Sequence, residues 1–130
     1  MCEIGVLGAG TWGIALARML ALTGNQVTVW SAMEKEVEVL SKLRAHPNLP
    51  QVAIPKQMVF TKEIAQACQH KAVLLFAVPS PFVRSTARLA AKYIPESQII
   101  VDAAKGIEAD TLFTMTEVIR DELEQSVQGL

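Results

Sequence analysis

Short apolar runs alternate with stretches of helical spacing along the whole chain. Glu3–Leu7 reads as a first strand, and residues 11–23 form a dense helix pattern stopped by Gly24-Asn25. Gln26–Trp30 alternates with β-branched residues, as a second strand does. Residues 33–45 form an amphipathic helix with Val37, Leu40 and Leu43 on one face. Pro47, Pro50 and Pro55 make residues 46–57 irregular. Val59-Phe60 is then a short third strand and Ile64–Cys68 a short helix. Residues 72–78 are uninterruptedly apolar, the signature of a central parallel strand covered on both faces. A helix over 82–93, a fifth strand over 98–102 and an amphipathic helix over 110–124 complete the pattern. Such alternation with right-handed crossovers predicts an α/β Rossmann domain, a doubly wound parallel sheet with helices on both faces and strand order 3-2-1-4-5.

The first strand runs into Gly8-Ala9-Gly10-Thr11-Trp12-Gly13, the Gly-x-Gly-x-x-Gly turn that holds a dinucleotide pyrophosphate at a helix N-terminus. Gly8 permits the turn, Gly10 lets backbone approach phosphate, and Gly13 allows close helix packing. The hydroxyl of Thr11 either caps the helix or touches phosphate, capping being the simpler role. Trp12 places a large indole face where cofactor or substrate contact explains it better than packing alone.

Ligands of this fold lie at the carboxyl ends of the strands, so the residues following each strand are the remaining candidates. Ser31-Ala32 follow the second strand with neither the acid that holds a ribose 2′-hydroxyl nor the arginine that accepts a 2′-phosphate, leaving NAD against NADP open with a lean toward tolerating NADP. Glu34 and Lys35 read as a solvated helix start. After the fourth strand, Phe82 suits either a wall beside the nicotinamide or the core of the next helix. After the fifth, Lys105 precedes Gly106, placed to neutralise a phosphate or polarise a carbonyl. Asp102 reads as a turn cap rather than a partner of Lys105. His46 and His70 have no second ligand nearby in sequence and are not candidate catalysts.

Composition narrows the class. At 130 residues and 51% apolar, the chain has material for one domain. A net charge of −1 gives a nucleic-acid role no support, and no apolar run is long enough to cross a membrane. Cys2 and Cys68 lack metal or redox spacing and fit a reducing cytoplasm.

Four landmarks together resemble the N-terminal part of bacterial-type NAD(P)-dependent glycerol-3-phosphate dehydrogenases. They are the Trp12-bearing glycine turn with Ile14-Ala15, the proline loop from His46-Pro47-Asn48-Leu49-Pro50 to Ile54-Pro55, Ala77-Val78-Pro79-Ser80, and Lys105-Gly106-Ile107-Glu108. The loop is shorter than the family's and lacks its tyrosine, and Ser31-Ala32 replace a residue that is often polar or basic. The resemblance implies hydride transfer between NAD(P)H and dihydroxyacetone phosphate, giving sn-glycerol 3-phosphate for lipid headgroups. It implies cofactor contacts from Gly8, Gly10, Thr11, Trp12, Gly13, Ser31, Ala32, Phe82 and Lys105, with Lys105 also meeting substrate and serving as the catalytic residue of this part. It further implies a helical C-terminal domain that supplies a proton-donating lysine. Because the chain stops at Gly129-Leu130, that domain is expected to lie outside it, leaving a domain that binds dinucleotide with little turnover. An uncovered apolar face then predicts self-association. Two other readings share the glycine turn: a related reductase, such as a ketopantoate reductase or a hydroxyacyl-CoA dehydrogenase, and a non-catalytic NAD(H)-sensing module.

Overall fold

The period-2 pattern of the strands sorts their side chains onto two buried faces of one parallel sheet. In this computed structural model, residues 2–49 and 52–128 are described, with side chains through Glu124. Pro50 of the proline loop and the terminal Gly129-Leu130 lie outside the described residues. The strands are β1 (Glu3–Leu7), β2 (Gln26–Trp30), β3 (Met58–Thr61), β4 (Val73–Phe76) and β5 (Ile99–Asp102). The helices are α1 (Thr11–Leu22), α2 (Glu34–Leu43), α3 (Ile64–Cys68), α4 (Val83–Ala90) and α5 (Met115–Gln128). All strand pairings are parallel, in the expected order β3-β2-β1-β4-β5.

Ile4, Val6, Val27, Val29 and Leu75 point to the face covered by Ile14 and Ala17 of α1 and Leu40 of α2. Leu7, Trp30, Leu74 and Phe76 point to the other, against Ala67 of α3, Val83 and Ala87 of α4, and Val118 of α5. Complete burial of a Leu or Phe contributes about 1.5–3 kcal/mol, so these two layers carry most of the driving force. Both cores meet at β1 and β4, whose carboxyl ends diverge into separate helices and open a crevice.

The larger differences from the expected element boundaries fall in four elements. The expected helix over 82–93 is a 3-10 turn at Ser80–Phe82, then α4, then a second 3-10 turn at Ala91–Tyr93. Pro81 fits only a first turn, and Pro95 holds Ile94 extended, so α4 is trimmed at both ends. The last helix starts at Met115 rather than at residue 110, because Leu112 takes φ 61° and Thr114 caps the helix. The Glu117 carboxylate accepts from the Thr114 amide and hydroxyl, while the Glu117 amide donates to Thr114 Oγ1, a Thr-x-x-Glu capping box legible in the sequence. In α2 the helix ends at Leu43, because Arg44 turns left-handed at φ 53°. Leu43 consequently stays 70% exposed, whereas Leu40 is buried and Val37 packs against the core. The central strand is shorter than residues 72–78, although the Ala72 and Ala77 amides still bond to Glu3 and Leu7 carbonyls of β1.

Candidate functional site

The turn after β1 is shaped by what its neighbours exclude. Gly8 has φ 128°, and a Cβ there would lie 2.8 Å from the Ala77 carbonyl. At Gly13 a Cβ would come 2.2 Å from the Gly8 carbonyl oxygen, so the turn closes on its own helix. Gly10 differs: its φ of −73° suits any residue, and a Cβ there would meet nothing within 4 Å. The first backbone bond of α1 runs from the Ile14 amide to the Gly10 carbonyl at 2.9 Å. Among the described residues the amides of Thr11, Trp12 and Gly13 have no acceptor, and no side chain caps them. Three free N–H groups at the positive end of a twelve-residue helix make an anion site.

Two clefts flank this helix start, and Gly10 and Thr11 line both. The first, of about 500 Å³, is bounded by Trp12, by Val78, Pro79 and Ser80 after β4, and by Ala104 and Lys105 after β5. The second, of about 450 Å³, is bounded by Met33, Lys35 and Glu36 of the α2 region and by His46 and Asn48 of the proline loop. Two half-sites of this size joined at an anion-binding helix end fit a dinucleotide, one nucleotide on each side of its pyrophosphate.

The candidate residues distribute unequally over these clefts. Trp12 is 58% exposed, with its indole beside the first cleft rather than in the core. Thr11 does not cap the helix; its Oγ1 accepts from Asn48 Nδ2 at 2.9 Å, tying the proline loop to the glycine turn. Phe82 is 57% exposed on the turn behind Pro79-Ser80, so it is not core of the following helix. It lies next to the first cleft without lining it. Lys105 lines that cleft as its one titratable side chain and makes no ion pair among the described residues. Asp102 caps the loop below it, accepting from the Ala104 amide at 2.9 Å and the Thr116 hydroxyl at 3.2 Å.

Ser31 is buried: its hydroxyl donates to Glu36 Oε1 at 2.7 Å and accepts from the Met33 amide at 3.1 Å. Ala32 is exposed and lines neither cleft. Glu34 pairs with Lys62 at 2.9 Å, and Lys35, beside it at the start of α2, lines the second cleft. Glu36 and Asn48 are functional candidates that sequence reading passed over. Glu36 lies five residues beyond the position where an acid is sought, and only the Ser31 hydroxyl bond brings it back. His46 is buried, with its Nδ1 accepting from the Asn48 amide, which is a structural role.

A sequence model described as NAD-dependent glycerol-3-phosphate dehydrogenase N-terminus matches residues 3–129. The chain belongs to that family. It is 65% identical over 123 residues to a glycerol-3-phosphate dehydrogenase [NAD(P)+] of Lactobacillus delbrueckii subsp. bulgaricus, covering 95% of this chain and 36% of that protein. The corresponding enzyme of Agathobacter rectalis is 43% identical over 124 residues, with 95% of this chain and 37% of the relative covered. Among solved structures, glycerol-3-phosphate dehydrogenase of Coxiella burnetii superposes with a TM-score of 0.87 at 25% identity, over 94% of this chain and 38% of that one. The chain thus spans about a third of the length of the curated relatives it matches. Membership favours neither a related reductase nor a sensing module over the dehydrogenase family. No described helix is long and apolar enough to cross a membrane, and no described cluster of His, Cys, Asp or Glu has metal-ligand geometry.

Proposed function

We propose that this chain is the dinucleotide-binding part of an enzyme that interconverts dihydroxyacetone phosphate and sn-glycerol 3-phosphate with NAD(P)H. The observation that carries the reading is the anion site at the start of α1 set between two clefts, one of which presents an unpaired lysine. The Thr11, Trp12 and Gly13 amides hold the pyrophosphate, and Gly8 and Gly13 keep the turn compact enough to aim them. Trp12 and Ser80 bound the nicotinamide end, with Phe82 shielding it from behind, and Glu36 and Lys35 bound the adenosine ribose. Ser31 acts through Glu36, and Ala32 leaves the ribose end sterically open.

When bound, the reduced nicotinamide supplies the hydride for the substrate carbonyl. Lys105 brings a positive charge to the same cleft, neutralising the substrate phosphate or the oxygen on which negative charge develops. Among the described residues no other titratable side chain lines that cleft. The free thiols, one buried and one exposed, suit the cytoplasm, and self-association is proposed through the open edge of β5.

Titration with NADH and NADPH, followed by reduced-nicotinamide fluorescence, tests the binding half. Saturable binding of at least one is expected, and absence of binding by either at millimolar concentration would remove the reading. The ratio of the two affinities reports whether Glu36, which accepts ribose hydroxyls, or Lys35, which attracts a 2′-phosphate, governs the adenosine end. Oxidation of NAD(P)H dependent on dihydroxyacetone phosphate in the full-length protein tests the chemistry.

A further inference from the structure

The first cleft has two facing walls, the turn after β4 that carries Pro79 and Ser80 and the loop after β5 that carries Lys105. One side chain fastens them together. Arg84, two residues beyond the turn, donates from Nε to Glu108 Oε2 at 2.7 Å and from Nη2 to Glu108 Oε1 at 2.9 Å, a two-bond fork 24 residues apart in sequence. Its remaining Nη1 donates to Asp121 at 2.8 Å and to Glu122 at 2.7 Å on α5. Glu122 is buried and also receives Arg88 at 3.0 Å, so the anchor on α5 is firm. The arginine side chain is 22% exposed and that of Glu108 21%, so the fork is partly withdrawn from water.

Glu108 is in turn built into its loop. It accepts from the Thr111 hydroxyl at 2.7 Å, and its amide and carbonyl both bond within the Glu108–Phe113 turn. At the other end, Asp102 fastens the loop to Ala104 and Thr116. Lys105 and Gly106 therefore span an arch between two anchors. Gly106, at φ 123°, brings that arch against the opposite wall, where a Cβ would lie 3.5 Å from the Ser80 side chain.

We propose that Arg84 is a positioning residue for the reaction: through Glu108 it sets where the Lys105 ammonium stands relative to Ser80 and the nicotinamide end of the cleft. This inference rests on the reading of Lys105 as a substrate ligand. Dinucleotide affinity depends little on the fork, because the amides at the start of α1 lie on the other side of the cleft.

The test is steady-state kinetics on the full-length protein, varying NADH and dihydroxyacetone phosphate separately, for wild type, E108Q, R84K and each of these combined with K105M. E108Q keeps the shape of Glu108 and removes its charge, and R84K keeps the charge and removes the fork. The expected result is a rise of about tenfold in KM for dihydroxyacetone phosphate, with KM for NADH changing by less than about twofold. In the K105M background the second substitution should add almost nothing, since its effect passes through Lys105. A lowered melting temperature with both KM values unchanged, or effects that add fully to K105M, would overturn the proposal while leaving the enzymatic reading intact. An inactive wild-type protein would instead bring down both. Should R84K fail to fold, E108Q gives the same decision.

Discussion

Gly10 and Gly13 belong to one motif, yet their surroundings assign them opposite sensitivities. A methyl at Gly13 runs into the Gly8 carbonyl, and the turn has no room to retreat because Gly8 already abuts Ala77. Gly13→Ala should therefore cost about 1–3 kcal/mol or more, read as a lower denaturation midpoint. A methyl at Gly10 meets only open space at the junction of the two clefts. Gly10→Ala should leave the midpoint unchanged and weaken NADH binding at least about tenfold, roughly 1.4 kcal/mol, because the methyl occupies the phosphate's place. Equal loss of stability in both variants would show that the turn is only structural. The two cysteines divide in the same manner: burial pushes the Cys68 thiol up to about 12, and Cys2 is exposed. At this scale the sequence was informative where a residue acts through its own backbone, as at Gly8. It was uninformative where a partner defines the role, as with Thr11, whose hydroxyl meets Asn48 37 residues away.

The helices α4 and α5 and the loop between them are joined by ionised groups, and acid should loosen that junction first. Arg84 and the Thr111 hydroxyl hold the Glu108 carboxyl at about 2, below its usual 4.5, and Glu122 and Glu117 are lowered as well. A depressed carboxyl contributes its full stabilisation above the unfolded value and loses it as the pH falls toward the folded one. Wild type should lose stability between about pH 4.5 and 2, and E108Q should be less stable at neutral pH with a shallower acid limb. The limb should not vanish, because Glu117 and Glu122 remain. Thermal melts across this range would contradict the account if the two proteins lost stability in parallel. The elements themselves were largely legible, because period-2 strands and glycine or proline stops are local signals. The late start of α5 was misjudged although the Thr114…Glu117 box was readable, and the left-handed Leu112 that enforces it leaves no sequence mark.

Across the whole molecule, the sheet is covered on both faces over β1 and β4 and left open at β5. β5 has no neighbour on its outer side among the described residues, and Ile99 and Val101 are exposed along it. Beside it, an apolar groove of about 580 Å³ runs between Ile94, Ile100, Ile119 and Leu123. An unpaired edge next to uncovered apolar surface invites pairing with another chain. Sedimentation of the 130-residue chain at rising concentration should show association, and a monomer throughout would refute it.

The order and kind of the elements, the parallel sheet and the glycine turn were all inherent in the amino-acid order, because each follows from spacing within a few residues. Which distant side chains meet was settled by folding. Ser31 brings Glu36 back to the end of β2, Asn48 reaches Thr11, and Arg84 locks Glu108 of the loop after β5 to α4. These pairs join separate elements through single hydrogen bonds or ion pairs, which impose neither period nor spacing on the chain. Only the stacking of strands and helices brings them within bonding distance.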